Sequence, residues 1–211
     1  MNNKIWFLSL PQVPELLVKQ LIEQGNNIPD LERDRLWIDQ FHNHELDIAA
    51  HNYGRHKNTM TEELDKQINE IYSIFFDTPV KSLIGKIKNV IDTPSQTPPH
   101  CDRYRRVAIN YILDTGGDDV YTCMYKEKRK SFDLSTAENC YYKDVTLDYR
   151  IKIPGQQWHS YNVQQYHSVE NVTGTRLILS LILEDNPSWE EFQQKYEYLQ
   201  KPIENNILKN I

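Results

Sequence analysis

"RLILSLIL", Arg176 to Leu183, is apolar on both faces of an extended chain and opens on an arginine. A strand with leucine and isoleucine at odd and even positions alike is buried on both sides, so it belongs at the centre of a covered sheet. Working outward, short β-type runs recur: "LIGKIKNVI" from Leu83, "VAINYIL" from Val107, "DVYTCMY" from Asp119, "VTLDYRIKI" from Val145 and "YNVQQYHSVEN" from Tyr161. Turn-like "DTGGDD", "PGQQ" and "TGT" separate them. Such a series with no intervening helix predicts an antiparallel sandwich or barrel.

Helical signals flank this block. In "VPELLVKQLIEQG", Pro14 suits a first turn, Leu17 and Leu21 recur at helical spacing, and Gly25 sits where a helix C-terminus is expected. Thr59 with Glu62 reads as a capping box before Leu64, Ile68, Ile71, Tyr72 and Phe75, a helix that must end before Pro79. Ser188 with Glu191 reads as another, ahead of an apolar stripe of Trp189, Phe192, Tyr196 and Leu199 expected to pack on the sheet. A length of 211 residues suits one core. The expected organisation is a single domain over 1–211: a helical part over 1–80, a β core over 81–185 and a C-terminal helix over 186–211.

A net charge of −6 offers no general attraction for nucleic acid phosphates. Cys101, Cys123 and Cys140 are odd in number and widely spaced, which argues against a disulfide framework or a cysteine zinc site and for a reducing cytoplasm. The apolar run from Ile5 to Leu10 is too short for a signal sequence, and no stretch approaches the roughly 20 apolar residues that span a bilayer. The expectation is a soluble cytoplasmic protein, with the C-terminal helix as a possible oligomer element.

Ahead of the "VAINYIL" run stands "TPPHCDRYRR", Thr97 to Arg106. Pro98 and Pro99 favour extended backbone, and in an extended segment His100 and Asp102 project to the same side. A third ligand is available in His167, near the end of "YNVQQYH". Two imidazoles and one carboxylate with open positions opposite form the facial triad of non-haem Fe(II) oxygenases. Arg176, nine positions after His167, enters an apolar strand, and a buried guanidinium calls for an anion, most naturally a carboxylate.

On the residues "HCD", "HSVENVTGTR" and "LILSLIL", the stretch from Ser82 to Leu183 resembles the Fe(II)- and 2-oxoglutarate-dependent oxygenase family. "RRVAINYIL" and "HSVENVTGTRLILSL" are most similar to its aspartyl/asparaginyl β-hydroxylase branch, some members of which lack the carboxylate ligand that Asp102 supplies here. The resemblance implies a mainly β fold with flanking helices around a double-stranded β-helix, a cupin-like jelly roll. It implies His100, Asp102 and His167 as ligands of Fe(II), and Arg176 as the partner of the distal carboxylate of 2-oxoglutarate. It further implies O2 as cosubstrate and hydroxylation of an amino acid, peptide side chain or small metabolite, with release of succinate and CO2. Where many relatives carry serine two residues after the arginine, this chain has Ile178, so Ser180, Asn110 and Tyr111 are the expected further cosubstrate-binding residues. The competing readings are a cupin-like metalloenzyme that does not use 2-oxoglutarate and a non-catalytic jelly-roll binding module.

Other features have plainer readings. His42, His44, His51 and His56 lack the His-Glu-x-x-His spacing and read as a polar loop. His159 reads as a strand or turn residue beside Trp158, a core or pocket-wall residue, and Cys101 as turned away from the metal side. Of Arg103, Arg105 and Arg106, alternation sends the first two to one side and the third to the other, so one of them can face the cleft and meet a substrate carboxylate.

Overall fold

The strand runs fold as two six-stranded antiparallel sheets, in a computed structural model that describes residues 5–28, 60–88, 99–102, 105–127, 140–141, 145–202 and 207–209. The strands are β1 (Trp6–Leu8), β2 (Val80–Lys88), β3 (His100–Cys101), β4 (Val107–Thr115), β5 (Tyr121–Glu127), β6 (Cys140–Tyr141), β7 (Val145–Ile151), β8 (Trp158–Asn162), β9 (His167–Glu170), β10 (Thr175–Leu183), β11 (Gln200–Pro202) and β12 (Ile207–Lys209). The helices are α1 (Glu15–Asn27), α2 (Glu62–Tyr72) and α3 (Trp189–Lys195).

One sheet runs β11-β1-β8-β4-β10-β2 and the other β12-β7-β5-β9-β3-β6. Among the described strands the chain crosses between them at β2 to β3, β3 to β4, β4 to β5, β7 to β8, β8 to β9, β9 to β10 and β11 to β12. Interleaving β2, β10, β4 and β8 with β3, β9, β5 and β7 in this way is the double-stranded β-helix, a jelly roll.

Alternation divides the apolar residues into two cores. On β10, Leu177, Leu179, Leu181 and Leu183 face one side and pack with Ile109 and Tyr111 of β4, Leu21 of α1, Ile68 of α2 and Phe192 of α3, so the helices cover the outer face of the first sheet. The opposite face packs Ala108 and Ile112 of β4 and Tyr161 of β8 against Met124, Tyr149 and Ile151 of the second sheet. β10 is thus a central strand covered on both sides, as its sequence predicts.

Several local expectations shift. The cap of α2 is Thr61, whose side chain accepts the N–H of Leu64 at 3.3 Å, while Thr59 lies outside the described residues. α1 runs past Gly25, and close packing accounts for that glycine: a Cβ there would sit 2.9 Å from Cδ2 of Leu177. Within the region read as helical, Ile5 to Leu10 contains β1, which pairs with β8 and β11. The region read as C-terminal helix holds α3 and a 3-10 turn at Glu197–Leu199 before it continues into β11 and β12. Trp189, Phe192, Tyr196 and Leu199 are nevertheless all buried against the first sheet, with Ser188 and Glu191 forming the capping box. Among the described residues no helix is long and apolar enough to cross a membrane.

Candidate metal centre

The run read as one strand from Tyr161 to Asn171 is two strands with a turn between them. The Asn162 side chain accepts the N–H of Gln164 at 2.9 Å and bends the chain there. The Gln164 side-chain amide then donates to the carbonyls of Asp102 (2.6 Å) and Arg105 (3.1 Å). The N–H of Asp102 donates to the Val163 carbonyl at 2.9 Å, and Cys101 turns its thiol to the Gln164 carbonyl at 3.2 Å. Held this way, His100 of β3 lies directly opposite His167 of β9.

Three side chains converge as a result. The Nε2 atoms of His100 and His167 lie 3.6 and 3.8 Å from the same oxygen, Oδ1 of Asp102. The donor atoms of all three lie within 4.8 Å of one another. Nδ1 of His167 is 3.0 Å from the Gln165 carbonyl, a bond in which the ring N–H donates, so Nε2 is the nitrogen that faces Asp102. The second carboxylate oxygen, Oδ2, accepts from Nε of Arg105 at 2.7 Å. Burial alone would raise the Asp102 carboxyl, but Arg105, His167 and His100 outweigh it and hold the group well below the usual carboxylate range.

Arg176 extends this polar group along β10. It is 2% exposed, and alternation directs it with Ile178 and Ser180 into the space between the sheets. Gly116 makes room for it: the glycine has φ 76°, and a Cβ there would sit 2.8 Å from Cβ of Arg176. Burial pulls the guanidinium down to about 10, against the opposing influence of Tyr161 and Asp114. Nη1 makes a long bond of 3.4 Å to the Thr115 carbonyl, and buried Nε has no partner among the described residues.

Asn110 and Ser180 meet in the same space, where Oγ of Ser180 donates to Oδ1 of Asn110 at 2.7 Å and Nη1 of Arg105 reaches that oxygen at 3.4 Å. Tyr111 is not brought to this group. Alternation places it on the helix-covered face, where its hydroxyl donates to Oε1 of Gln12 at 2.9 Å and its ring packs 5.0 Å from Trp158. Trp158 is a core residue on that same face, donating from Nε1 to the Pro11 carbonyl at 2.9 Å. Arg106 is exposed, Arg103 lies outside the described residues, and so do His42, His44, His51 and His56.

His159 and Tyr161 project from β8 into the inter-sheet space with their rings stacked at 6.0 Å. Tyr161 also presents an edge to His167, with ring centres 5.4 Å apart. Burial raises the Tyr161 phenol, while Arg105 and Arg176 draw it down and Asp102 pushes it up, so all three charged groups act on this one hydroxyl. Burial depresses the His159 imidazole to about 3, with Arg176 and Arg105 adding to the effect against its bond to the Gln157 carbonyl. Reading the sequence did not single out Tyr161. The signal was its position two residues after His159, which places both on one face of a strand.

No protein-family model matches the chain, and no curated protein matches it. Among solved structures, a Pseudomonas putida prolyl-4-hydroxylase is similar over 84% of this chain and 91% of its own, at 13% identity and a TM-score of 0.41. AviO1 from Streptomyces viridochromogenes Tue57 is similar over 88% of this chain and 93% of its own, at 13% identity and a TM-score of 0.42. The chain's own strand order and side-chain geometry define its class: a jelly roll with a His, Asp, His group capable of holding a metal ion between its sheets.

Proposed function

We propose that the protein is a non-haem Fe(II)- and 2-oxoglutarate-dependent dioxygenase that hydroxylates an amino acid, a peptide side chain or a small metabolite. The observation that supports this reading is the convergence of His100, Asp102 and His167 in the same inter-sheet space as a buried arginine with an unpartnered Nε. The donor set suits ferrous iron, being two imidazole nitrogens and one carboxylate. The orphaned donor suits a carboxylate, which a guanidinium binds through parallel hydrogen bonds.

In this reading His100, Asp102 and His167 hold the iron. The bond from His167 to the Gln165 carbonyl fixes the tautomer that a ligand needs. Arg176 receives the far carboxylate of 2-oxoglutarate, backed by the Gly116 turn. Ser180 and Asn110, already bonded to each other, line the space it enters. The bound iron and 2-oxoglutarate supply the activation of dioxygen. The protein excludes water with Ile112, Met124, Tyr149 and Ile151 and keeps the reacting groups in register. The aspartyl/asparaginyl β-hydroxylase branch is the expected neighbourhood of the substrate chemistry, on the motifs "RRVAINYIL" and "HSVENVTGTRLILSL".

Anaerobic titration with Fe(II) and 2-oxoglutarate tests the reading. A visible charge-transfer band of the chelate is expected for the wild type and is lost in His167→Ala. Absence of the band in the wild type, or its persistence at full strength in the variant, counts against the assignment. Succinate release in air separates this enzyme from a cupin-like metalloenzyme that does not use 2-oxoglutarate and from a non-catalytic binding module.

A further inference from the structure

Asp102 presents its two oxygens to different partners. Oδ1 faces both histidine Nε2 atoms, at 3.6 and 3.8 Å, while Oδ2 is taken by Arg105 at 2.7 Å. Arg105 is itself anchored at its far end, where Nη1 reaches Oδ1 of Asn110 at 3.4 Å and that oxygen accepts from Ser180 at 2.7 Å. Its backbone carbonyl is held by Gln164, the residue that also holds the carbonyl of Asp102. Acid and guanidinium are thus clamped at both backbone and side chain. Attraction between the pair keeps the buried guanidinium charged against the cost of desolvation.

From this geometry we infer that Arg105 is a positioning residue that restricts Asp102 to one-oxygen ligation of the metal. A carboxylate with both oxygens free can chelate a cation and take up two of its coordination positions. With Oδ2 tied back, Asp102 supplies a single donor and leaves a further position open, as a bidentate cosubstrate plus dioxygen require. The inference rests on the proposed metal centre and goes beyond it, assigning Arg105, among the described residues the cleft-side arginine after Asp102, to the ligand rather than to a substrate.

Co(II), whose visible spectrum responds to coordination number, is the probe. Arg105→Met keeps much of the stem but removes the donors, and Arg105→Lys restores a cation. The expected results are an altered Co(II) spectrum in Arg105→Met, 2-oxoglutarate binding to the Co(II) protein weakened by about 10- to 100-fold, and recovery toward wild type in Arg105→Lys. A Co(II) spectrum and 2-oxoglutarate affinity in Arg105→Met equal to wild type overturn the inference. Should Arg105→Met fail to fold, a crystal structure of the Co(II)-loaded wild type decides: Asp102 bound through one oxygen with Oδ2 on Arg105 supports it, and a two-oxygen chelate overturns it. Failure of the wild type to bind Co(II) at all is distinct, because it removes the metal centre and with it this role for Arg105.

Discussion

Arg176 carries a charge into a protein interior with one of its donors unmade, and an unsatisfied buried donor costs about 1–3 kcal/mol. If that cost is tolerated for the sake of a carboxylate, removing the guanidinium has opposite effects on the empty and the loaded protein. Arg176→Met is expected to leave the unliganded protein at least as stable as wild type in urea unfolding. It is also expected to abolish the stabilisation that the proposed function predicts for wild type with 2-oxoglutarate and Fe(II), about 3 kcal/mol at a hundred times the dissociation constant. Loss of several kcal/mol in the unliganded variant would instead make the arginine a structural residue. Its position was legible in the sequence because a lone cation opening an apolar run is conspicuous. The role of Arg105 was not, since three arginines follow Asp102 closely and only the fold shows which one turns back to the carboxylate.

Among the elements, the turn from β4 to β5 and the turn from β8 to β9 position the site. Gly116 sits at φ 76° with Arg176 packed against it, so Gly116→Ala combines backbone strain with a steric clash. A loss of about 1–3 kcal/mol in thermal or urea unfolding is expected, together with weaker 2-oxoglutarate binding and little change in Co(II) affinity. Equal losses in both affinities would show that the turn supports the whole centre and not Arg176 in particular. The limits of sequence reading show clearly on β4. Val107 to Leu113 is buried throughout, so alternation sorts its side chains into two sets but does not reveal which set faces the second sheet. Asn110 and Tyr111 were therefore equal candidates until the helices were seen to cover the Tyr111 side. The capping of α2 shows the reverse case: the cap is Thr61 and not the expected Thr59, yet the shift leaves Leu64, Ile68 and Tyr72 on the buried face.

At the scale of the whole molecule, an antiparallel sandwich or barrel was legible because strands such as β4 and β10 are long and apolar, and the resemblance narrowed it to a jelly roll, whereas β11 was not, since "QKP" joins the sheet through backbone pairing with β1 and carries no alternation of its own. The double layer also sets how the protein responds to acid. His159 lies 1% exposed between the sheets, with its pKa depressed from 6.5 to about 3. Below about pH 6.5 the unfolded chain takes up a proton there that the folded chain refuses, so stability falls as pH drops from about 6.5 to about 3. The loss from this group is on the order of a few kcal/mol. Urea midpoints measured across that window should decline less steeply for His159→Phe than for wild type, and parallel declines would assign the acid sensitivity elsewhere.

The clamp made by Gln164 has a consequence for register. β3 is two residues long and too short to fix its own alignment by ladder bonds, and a slip of one residue turns every side chain of a strand to its opposite face. Slipped in that way, the chain would present the Cys101 thiol where His100 and Asp102 now point, replacing an imidazole and carboxylate set with a soft, oxidisable sulfur ligand. Gln164 engages the thiol with its carbonyl and the backbone on the far side of Asp102 with its amide. One turn residue, through its backbone carbonyl and its side-chain amide, thereby guards the chemical identity of the donor set as well as its shape.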